Sequence, residues 1–152
     1  SDVCSSDLKA LGCGVPVGAF VLGKKVADAS LAPGDHGTTY GGNPFVCAAV
    51  SKVFDLYEKE QIVDHVKKVG GYLEKKLNAL VEKYDFLKER RGKGLIQGLE
   101  VEGRPIGEIV NRGLEEGLII ITAGSNVLRF VPPLVVTEAD VDEMIVKLEK
   151  CF

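Results

Sequence analysis

The strongest constraint on the fold is the stretch 62–84, in which apolar residues recur at spacings of three and four. Such spacing places them along one face of a helix, while the lysines between them fall on the other faces. The pattern therefore predicts one long amphipathic helix that packs on a core through Ile62, Val66, Val69, Leu73, Leu77, Leu80 and Tyr84.

Shorter patterns precede this helix. Residues 17–23 form an apolar run between glycines and predict a buried strand, and 24–30 predict a short helix. Residues 31–44 are rich in Gly, Pro, Thr and Asn and predict a loop. Asn43 is suited to cap a following helix and Pro44 to its first turn. The apolar face of that helix would carry Val46, Val50, Val53 and Tyr57.

Helical and strand patterns alternate after residue 84. Residues 94–101 predict a strand, a helix follows that Gly117 ends, and 118–122 and 127–131 predict two more strands. Thr137 is placed to cap a last helix, whose apolar residues are Val141, Met144, Ile145 and Leu148.

This alternation predicts three regions. We expect residues 9–60 to be the end of a larger domain and 61–85 to be a connecting helix. Residues 86–152 would form a small α/β domain.

Composition excludes several classes of function. The chain has 152 residues, 45% hydrophobic and 27% charged, and a net charge of -3. That balance argues against a nucleic-acid partner or a membrane surface. The cysteines lie far apart without a C-x-x-C pair, which predicts neither a disulfide framework nor a zinc site and favours the cytoplasm: Cys4, Cys13, Cys47 and Cys151.

The first eight residues, SDVCSSDL, are polar and aperiodic, and a strong motif follows them abruptly. We expect residues 1–8 to be non-native and leave them out of the fold. The alternative is a disordered N-terminus.

Lys9 stands at the edge of a glycine-rich turn that contains Gly12, Gly14 and Gly18. The G-x-G-x-x-x-G spacing differs from the dinucleotide motif G-x-G-x-x-G, and no Gly-Lys-Ser/Thr follows for a P-loop. From spacing alone, a tight turn that enters a strand explains the glycines. A lysine that meets a ligand at close range is the functional alternative.

Three segments carry a family resemblance: KALGCGVPVGAF, GDHGTTYGGNP and NVLRFVPPL. Together they resemble the class III aminotransferases that depend on pyridoxal 5'-phosphate, and most of all the acetylornithine-type members. HGTTYGGNP is the most specific of the three. The resemblance covers nearly all of 9–152 and implies the C-terminal part of a fold-type I transferase: the end of its cofactor-binding large domain and the small C-terminal domain.

The resemblance assigns the catalytic role to Lys9, as the residue that binds the cofactor through a Schiff base. That chemistry needs a neutral amine, whereas a free lysine has a pKa of about 10.4, so the site must lower it by burial and nearby positive charge. Gly12 and Gly14 would let backbone pass close to the cofactor ring.

The resemblance assigns Thr39 to the cofactor phosphate, reached across a dimer interface. A hydroxyl in a glycine-rich loop suits a phosphate dianion, although threonine hydroxyls also stabilise turns. Arg129 matches the arginine that binds the substrate's α-carboxylate, since a guanidinium pairs with a carboxylate through two hydrogen bonds. The alternative for Arg129 is a structural ion pair with a buried acid. Asn43 is interpreted as a helix cap only.

The implied parent enzyme transfers an amino group between N-acetylornithine and 2-oxoglutarate in arginine biosynthesis, as a homodimer. Alternatives are ornithine-, succinylornithine-, 4-aminobutyrate- or aminoadipate-type enzymes of the same family, or a non-catalytic α/β interaction domain. Cys13 departs from the usual glycine, and Asp7-Leu8 from the small residues usual before the lysine. The family residues for the pyridine nitrogen and ring stacking would lie upstream, so we expect no activity from this chain alone.

Overall fold

The computed structural model describes residues 5–7 and 10–152. The chain divides after Gln61 into two compact units. The split places the long helix with the second unit. The assignment of 9–60 to a larger domain and of 86–152 to a small one remains a prediction.

The first unit begins with two short antiparallel strands, β1 (Ser5–Asp7) and β2 (Ala19–Val21). A 3-10 turn at Ala10–Gly12 lies between them, and helices α1 (Lys24–Ser30) and α2 (Pro44–Lys59) follow. The short helix predicted at 24–30 is confirmed. The strand at Ser5–Asp7 departs from the expectation that residues 1–8 take no part in the fold.

The prediction that 17–23 form a buried strand is wrong in one respect. A strand is present, but Phe20 is 48% and Val21 69% exposed. The physical reason is that, among the described strands, β2 pairs only with β1, and the edge-on contact of the Phe20 ring with His36, 6.0 Å between centroids, leaves much of its surface exposed. An apolar run indicates that a strand is suited to burial, but the elements that would cover it come from other parts of the sequence.

The start of α2 follows the sequence closely. The Oδ1 atom of Asn43 accepts a hydrogen bond from the Val46 amide at 3.2 Å, and Pro44 occupies the first turn. Val46 is buried and the rest of its predicted face is half-buried. The predicted cap and helix face are therefore confirmed.

The second unit is an antiparallel sheet with helices packed on one face. Its elements in chain order are α3 (Ile62–Lys83), β3 (Leu87–Lys93), β4 (Ile96–Val101), α4 (Ile106–Glu115), β5 (Ile121–Ala123), β6 (Val127–Phe130) and α5 (Glu138–Lys150). The strand order is β3-β4-β6-β5, so β3 and β5 form the edges. The α/β class predicted from the sequence is confirmed.

The core lies between this sheet and the helices. Leu73 and Leu77 of α3 are fully buried, and Leu99 and Leu128 face them from β4 and β6. The apolar stripe predicted from 62–84 is thus confirmed as the main helical contribution to the core. The other face of the sheet is uncovered in this unit, where Ile96 and Ile121 are exposed.

In the second unit, strand β3 is the element that the sequence does not reveal. Its residues LKERRGK are mostly charged, because β3 is an edge strand and much of it is exposed. Arg90 ties β3 to α3 through Glu74 at 2.9 Å and to β4 through Gln97 at 2.8 Å. Gln97 is buried and also donates to the Gly94 carbonyl at 2.7 Å, so both ends of its amide are satisfied.

The helix ends in the second unit agree with their sequence signals. Gly117 has φ +71 just past α4, and the Leu118 amide donates to the Gly113 carbonyl at 2.7 Å. Thr137 caps α5 in a reciprocal capping box with Asp140. Among the described residues, no helix is long and apolar enough to span a membrane.

Candidate functional site

Arg129 stands on the uncovered face of the second unit's sheet. It lies in the middle strand β6, directly opposite Gly98 of β4 on one side and Ile121 of β5 on the other. Its chain neighbours Leu128 and Phe130 point into the core and are 0% and 5% exposed. Alternation along the strand therefore presents Arg129 outward from a rigid, well-packed support.

The guanidinium of Arg129 has no partner among the residues that the structure describes. The residue is exposed, and among the described residues it forms no ion pair and donates no hydrogen bond. The alternative reading, a structural ion pair with a buried acid, is not found in the described part of the chain. An arginine held on a strand with five unused donors can bind a carboxylate through two hydrogen bonds.

Thr39 lies in the exposed loop between α1 and α2. The ends of this loop are fixed locally, since Asp35 accepts from the Ala32 amide at 2.8 Å and Asn43 donates to the Tyr40 carbonyl at 2.8 Å. Neither Thr38 nor Thr39 uses its hydroxyl to bond the turn, within the residues that the structure describes. The Thr39 hydroxyl is thus available to an anion rather than used in holding the loop.

Lys9 lies outside the described residues, so its predicted role is not tested by the geometry. The turn after it is described. A side chain at Gly12 would place its Cβ 2.6 Å from a Val17 methyl, and Gly14 has φ +101, a conformation that favours glycine. Cys13 between them also has a positive φ, of 46. The geometry of a tight turn therefore explains Gly12 and Gly14 independently of the role of Lys9.

The predicted site residues fall in different parts of the structure. Thr39 belongs to the first unit and Arg129 to the second, and each is described within its own unit. Both present a free hydrogen-bond donor on an exposed surface, which is what binding an anionic ligand requires. No group of His, Cys, Asp and Glu side chains suited to a metal ion occurs among the described residues.

Sequence reasoning missed a cluster of polar side chains beside Arg129. Arg91 of β3 donates from Nη2 to Glu100 of β4, and Asn126, in the loop before β6, donates to the other oxygen of Glu100 at 3.1 Å. The sequence did not predict this cluster because it did not predict β3, the strand that carries Arg91. The available signal was the Gly-Lys-Gly segment at 92–94, which leads into the hairpin turn, with charged residues before it and alternating apolar residues after it.

Comparison with known proteins identifies the family. The sequence profile of aminotransferase class-III matches residues 1–152. The acetylornithine aminotransferase of Gloeobacter violaceus is 46% identical over 145 residues, which cover 95% of this chain and 36% of that protein. The corresponding enzyme of Methanocaldococcus jannaschii is 45% identical over 144 residues, again 95% of this chain and 36% of the relative.

Solved structures of aminotransferases also match this chain. Ornithine aminotransferase from Toxoplasma gondii matches with a TM-score of 0.86 at 30% identity, over 97% of this chain and 36% of its own. Another structure of the Toxoplasma enzyme has partial occupancy of pyridoxal phosphate (PLP) at its active site. Acetylornithine aminotransferase from Elizabethkingia anophelis matches with a TM-score of 0.85 at 30% identity, over 97% of this chain and 38% of its own. The chain spans little more than a third of the length of these relatives and has the fold of part of a PLP-dependent transaminase. It belongs to the class-III aminotransferases.

Proposed function

We propose that this chain is the C-terminal third of an acetylornithine aminotransferase that works with PLP. The whole enzyme would transfer the amino group of N-acetylornithine to 2-oxoglutarate, as a step of arginine biosynthesis in the cytoplasm. The observation that carries the proposal is the free guanidinium of Arg129, on the strand that bears the family motif. The family match favours this enzyme over a non-catalytic interaction domain.

Arg129 would bind the α-carboxylate that both substrates share. Its fixed strand position aims the planar guanidinium outward, where two parallel hydrogen bonds can orient the carboxylate. Donor and acceptor both carry an α-carboxylate, next to the reacting carbon in 2-oxoglutarate and at the far end of the chain from it in N-acetylornithine, and Arg129 would bind that group in each half-reaction. Because Leu128 and Phe130 anchor the strand in the core, the backbone from which the Arg129 side chain extends is fixed before substrate arrives.

The donor set around Thr39 fits a cofactor phosphate. The loop offers a free hydroxyl and a glycine-rich backbone with no acidic side chain next to Thr39 in sequence. Thr39 would hold the phosphate of the partner subunit's cofactor in a homodimer, and Lys9 would hold the cofactor's aldehyde carbon through its amine. Bound there, PLP would supply an electron sink for the carbon that bears the donor's free amino group, and Lys9 would carry the proton that leaves that carbon.

The experiment uses the full-length protein with N-acetylornithine, 2-oxoglutarate and PLP. The unaltered enzyme should form glutamate, and Lys9→Ala should lose both turnover and the visible absorbance of lysine-bound cofactor. Absorbance that persists in Lys9→Ala would show that another lysine holds the cofactor. Absence of glutamate formation by the unaltered enzyme with any amino donor would overturn the proposed function.

Thr39 is tested by subunit mixing. Thr39→Ala should retain cofactor poorly but leave Lys9 able to bind it. In a mixed dimer with Lys9→Ala, both lesions fall in one site and the other site is intact, so up to about half of the activity should return. If exchange is confirmed and nothing returns, Thr39 acts within its own subunit.

Ornithine is the second candidate donor, supported by the Toxoplasma ornithine aminotransferase among the structural relatives. Comparing kcat/KM for N-acetylornithine and ornithine in the same assay decides between the two donors.

A further inference from the structure

The uncovered sheet face carries a row of side chains across all four strands. Arg91, Gly98, Arg129 and Ile121 lie directly opposite one another on β3, β4, β6 and β5. Gly98 has no side chain, and a Cβ there would stand 2.9 Å from a Val127 methyl. The two arginines therefore flank a bare stretch of the β4 backbone.

Glu100 is the acid best placed to reach Arg129. It lies directly opposite Val127, two residues before Arg129, so it is a diagonal neighbour across the β4–β6 pair. Diagonal positions are about 7–8 Å apart, which long side chains can span. Glu89, the other acidic residue on this face of the described strands, stands one strand further away on β3.

Both carboxylate oxygens of Glu100 nevertheless accept hydrogen bonds from residues other than Arg129. Arg91 Nη2 donates to Oε2, and Asn126 Nδ2 donates to Oε1 at 3.1 Å. Glu89 forms a second ion pair with Arg91, with its Oε2 atom 3.6 Å from the Nε of Arg91. Glu100 is thus bonded to Arg91 and Asn126, and the guanidinium of Arg129 has no partner in the described part of the chain.

We propose that Arg91 and Asn126 are positioning residues that restrain Glu100, so that it does not compete with the substrate carboxylate for Arg129. The inference rests on the proposed function, in which Arg129 binds that carboxylate. Arg91 touches neither substrate nor cofactor in this account. Its charge acts through Glu100 alone.

The test measures KM and kcat of the full-length enzyme for N-acetylornithine and 2-oxoglutarate. In Arg91→Met, Glu100 loses its hydrogen bond from Arg91 and would pair with Arg129 instead. The KM for both substrates should then rise about two- to sixfold, the range expected for an exposed ion pair. The kcat should stay near its original value, because saturating substrate displaces Glu100. Arg91→Lys should show a smaller rise.

The decisive variant is the double change Arg91→Met with Glu100→Gln. Removing the competing charge should return both KM values to the level of the unaltered enzyme. The control is Lys93→Met, which removes a positive charge from the same face of the same strand and should leave KM unchanged. A double variant as impaired as Arg91→Met, or worse, would show that Arg91 only ties β3 to β4, and would overturn the inference.

Arg129→Ala, measured in parallel, separates this inference from the proposed function. If Arg129→Ala raises KM and Arg91→Met does not, the restraint of Glu100 is wrong and the carboxylate role of Arg129 stands. If Arg129→Ala leaves both KM values unchanged, the carboxylate role fails and the inference fails with it. If Lys93→Met raises KM as much as Arg91→Met, the effect is one of general charge and the inference is overturned.

Discussion

The hydroxyl of Tyr72 lies 2.8 and 3.0 Å from the two carboxylate oxygens of Asp142 and joins α3 to α5. Lys76 completes the contact, with its Nζ 2.7 Å from the same carboxylate. The hydrogen bonds from Lys76 and then Tyr72 hold the pKa of Asp142 below its ordinary value of 3.8. The bond to Asp142 in turn raises the pKa of Lys76 above 10.5.

These shifts predict the pH dependence of stability. A lowered folded-state pKa means that Asp142 stabilises the fold above about pH 4, and that this contribution is lost as pH falls through the lowered value. Asp142→Asn should therefore lower Tm at pH 7, and the difference from the unaltered chain should shrink below pH 4. Thermal unfolding followed by circular dichroism from pH 2 to 8 measures it.

Glu143→Gln is the matched control, since among the described residues the exposed Glu143 pairs with the half-buried Lys147 within α5 and bonds no other helix. It should change Tm little at any pH. A constant Tm deficit for Asp142→Asn down to pH 2 would mean that the loss comes from packing and not from the carboxylate's charge.

The core of the second unit predicts a large cost for truncating α3. Leu77 is 0% exposed and packs among the buried residues of the sheet and helices. Leu77→Ala should destabilise the second unit by about 2–5 kcal/mol, from lost burial and the cavity left behind. Val63→Ala, on the same helix but 55% exposed, should change stability by no more than about 0.5 kcal/mol. Urea unfolding of the chain compares the two, and equal effects would contradict the packing of α3.

Cys13 adopts a backbone conformation that suits glycine. Its φ of 46 lies in the left-handed region, where a side chain costs roughly 1–2 kcal/mol. Cys13→Gly should stabilise the first unit by about 0.5–1 kcal/mol, after the greater chain entropy of glycine is subtracted. Cys47→Gly, within α2, should instead destabilise it. A fall in stability for Cys13→Gly would show that its side chain makes a contact worth more than the strain.

Much of the second unit can be predicted from sequence, because its signals are local. The stripe of α3, the Thr137 cap and the Gly117 helix end each depend on a few neighbouring residues, and all three are confirmed. Strand β3 could not be predicted in this way. Its charged residues are explained by its edge position and by cross-strand partners such as Glu100, which are set by tertiary structure.

The candidate site shows the same difference between local signals and tertiary contacts. Motifs point to Lys9, Thr39 and Arg129 individually, but no local pattern reports that Arg129 lacks a partner or that Arg91 holds Glu100. Those facts depend on the register of three strands. The same limit explains the wrong expectation for β2, since its apolar residues do not specify which element covers them.

The carboxylate role of Arg129 is tested most directly with a pair of amino donors that differ only in the α-carboxylate, such as ornithine and 1,4-diaminobutane. In the full-length enzyme, Arg129→Ala should lower kcat/KM for ornithine roughly ten- to hundredfold, as expected for a lost charge-assisted pair, and should hardly change it for the diamine. Arg129→Lys should recover only part of the loss, because an ammonium cannot make both hydrogen bonds. An equal loss for both donors would contradict the account, since it would mean that Arg129 supports the fold and does not bind the carboxylate.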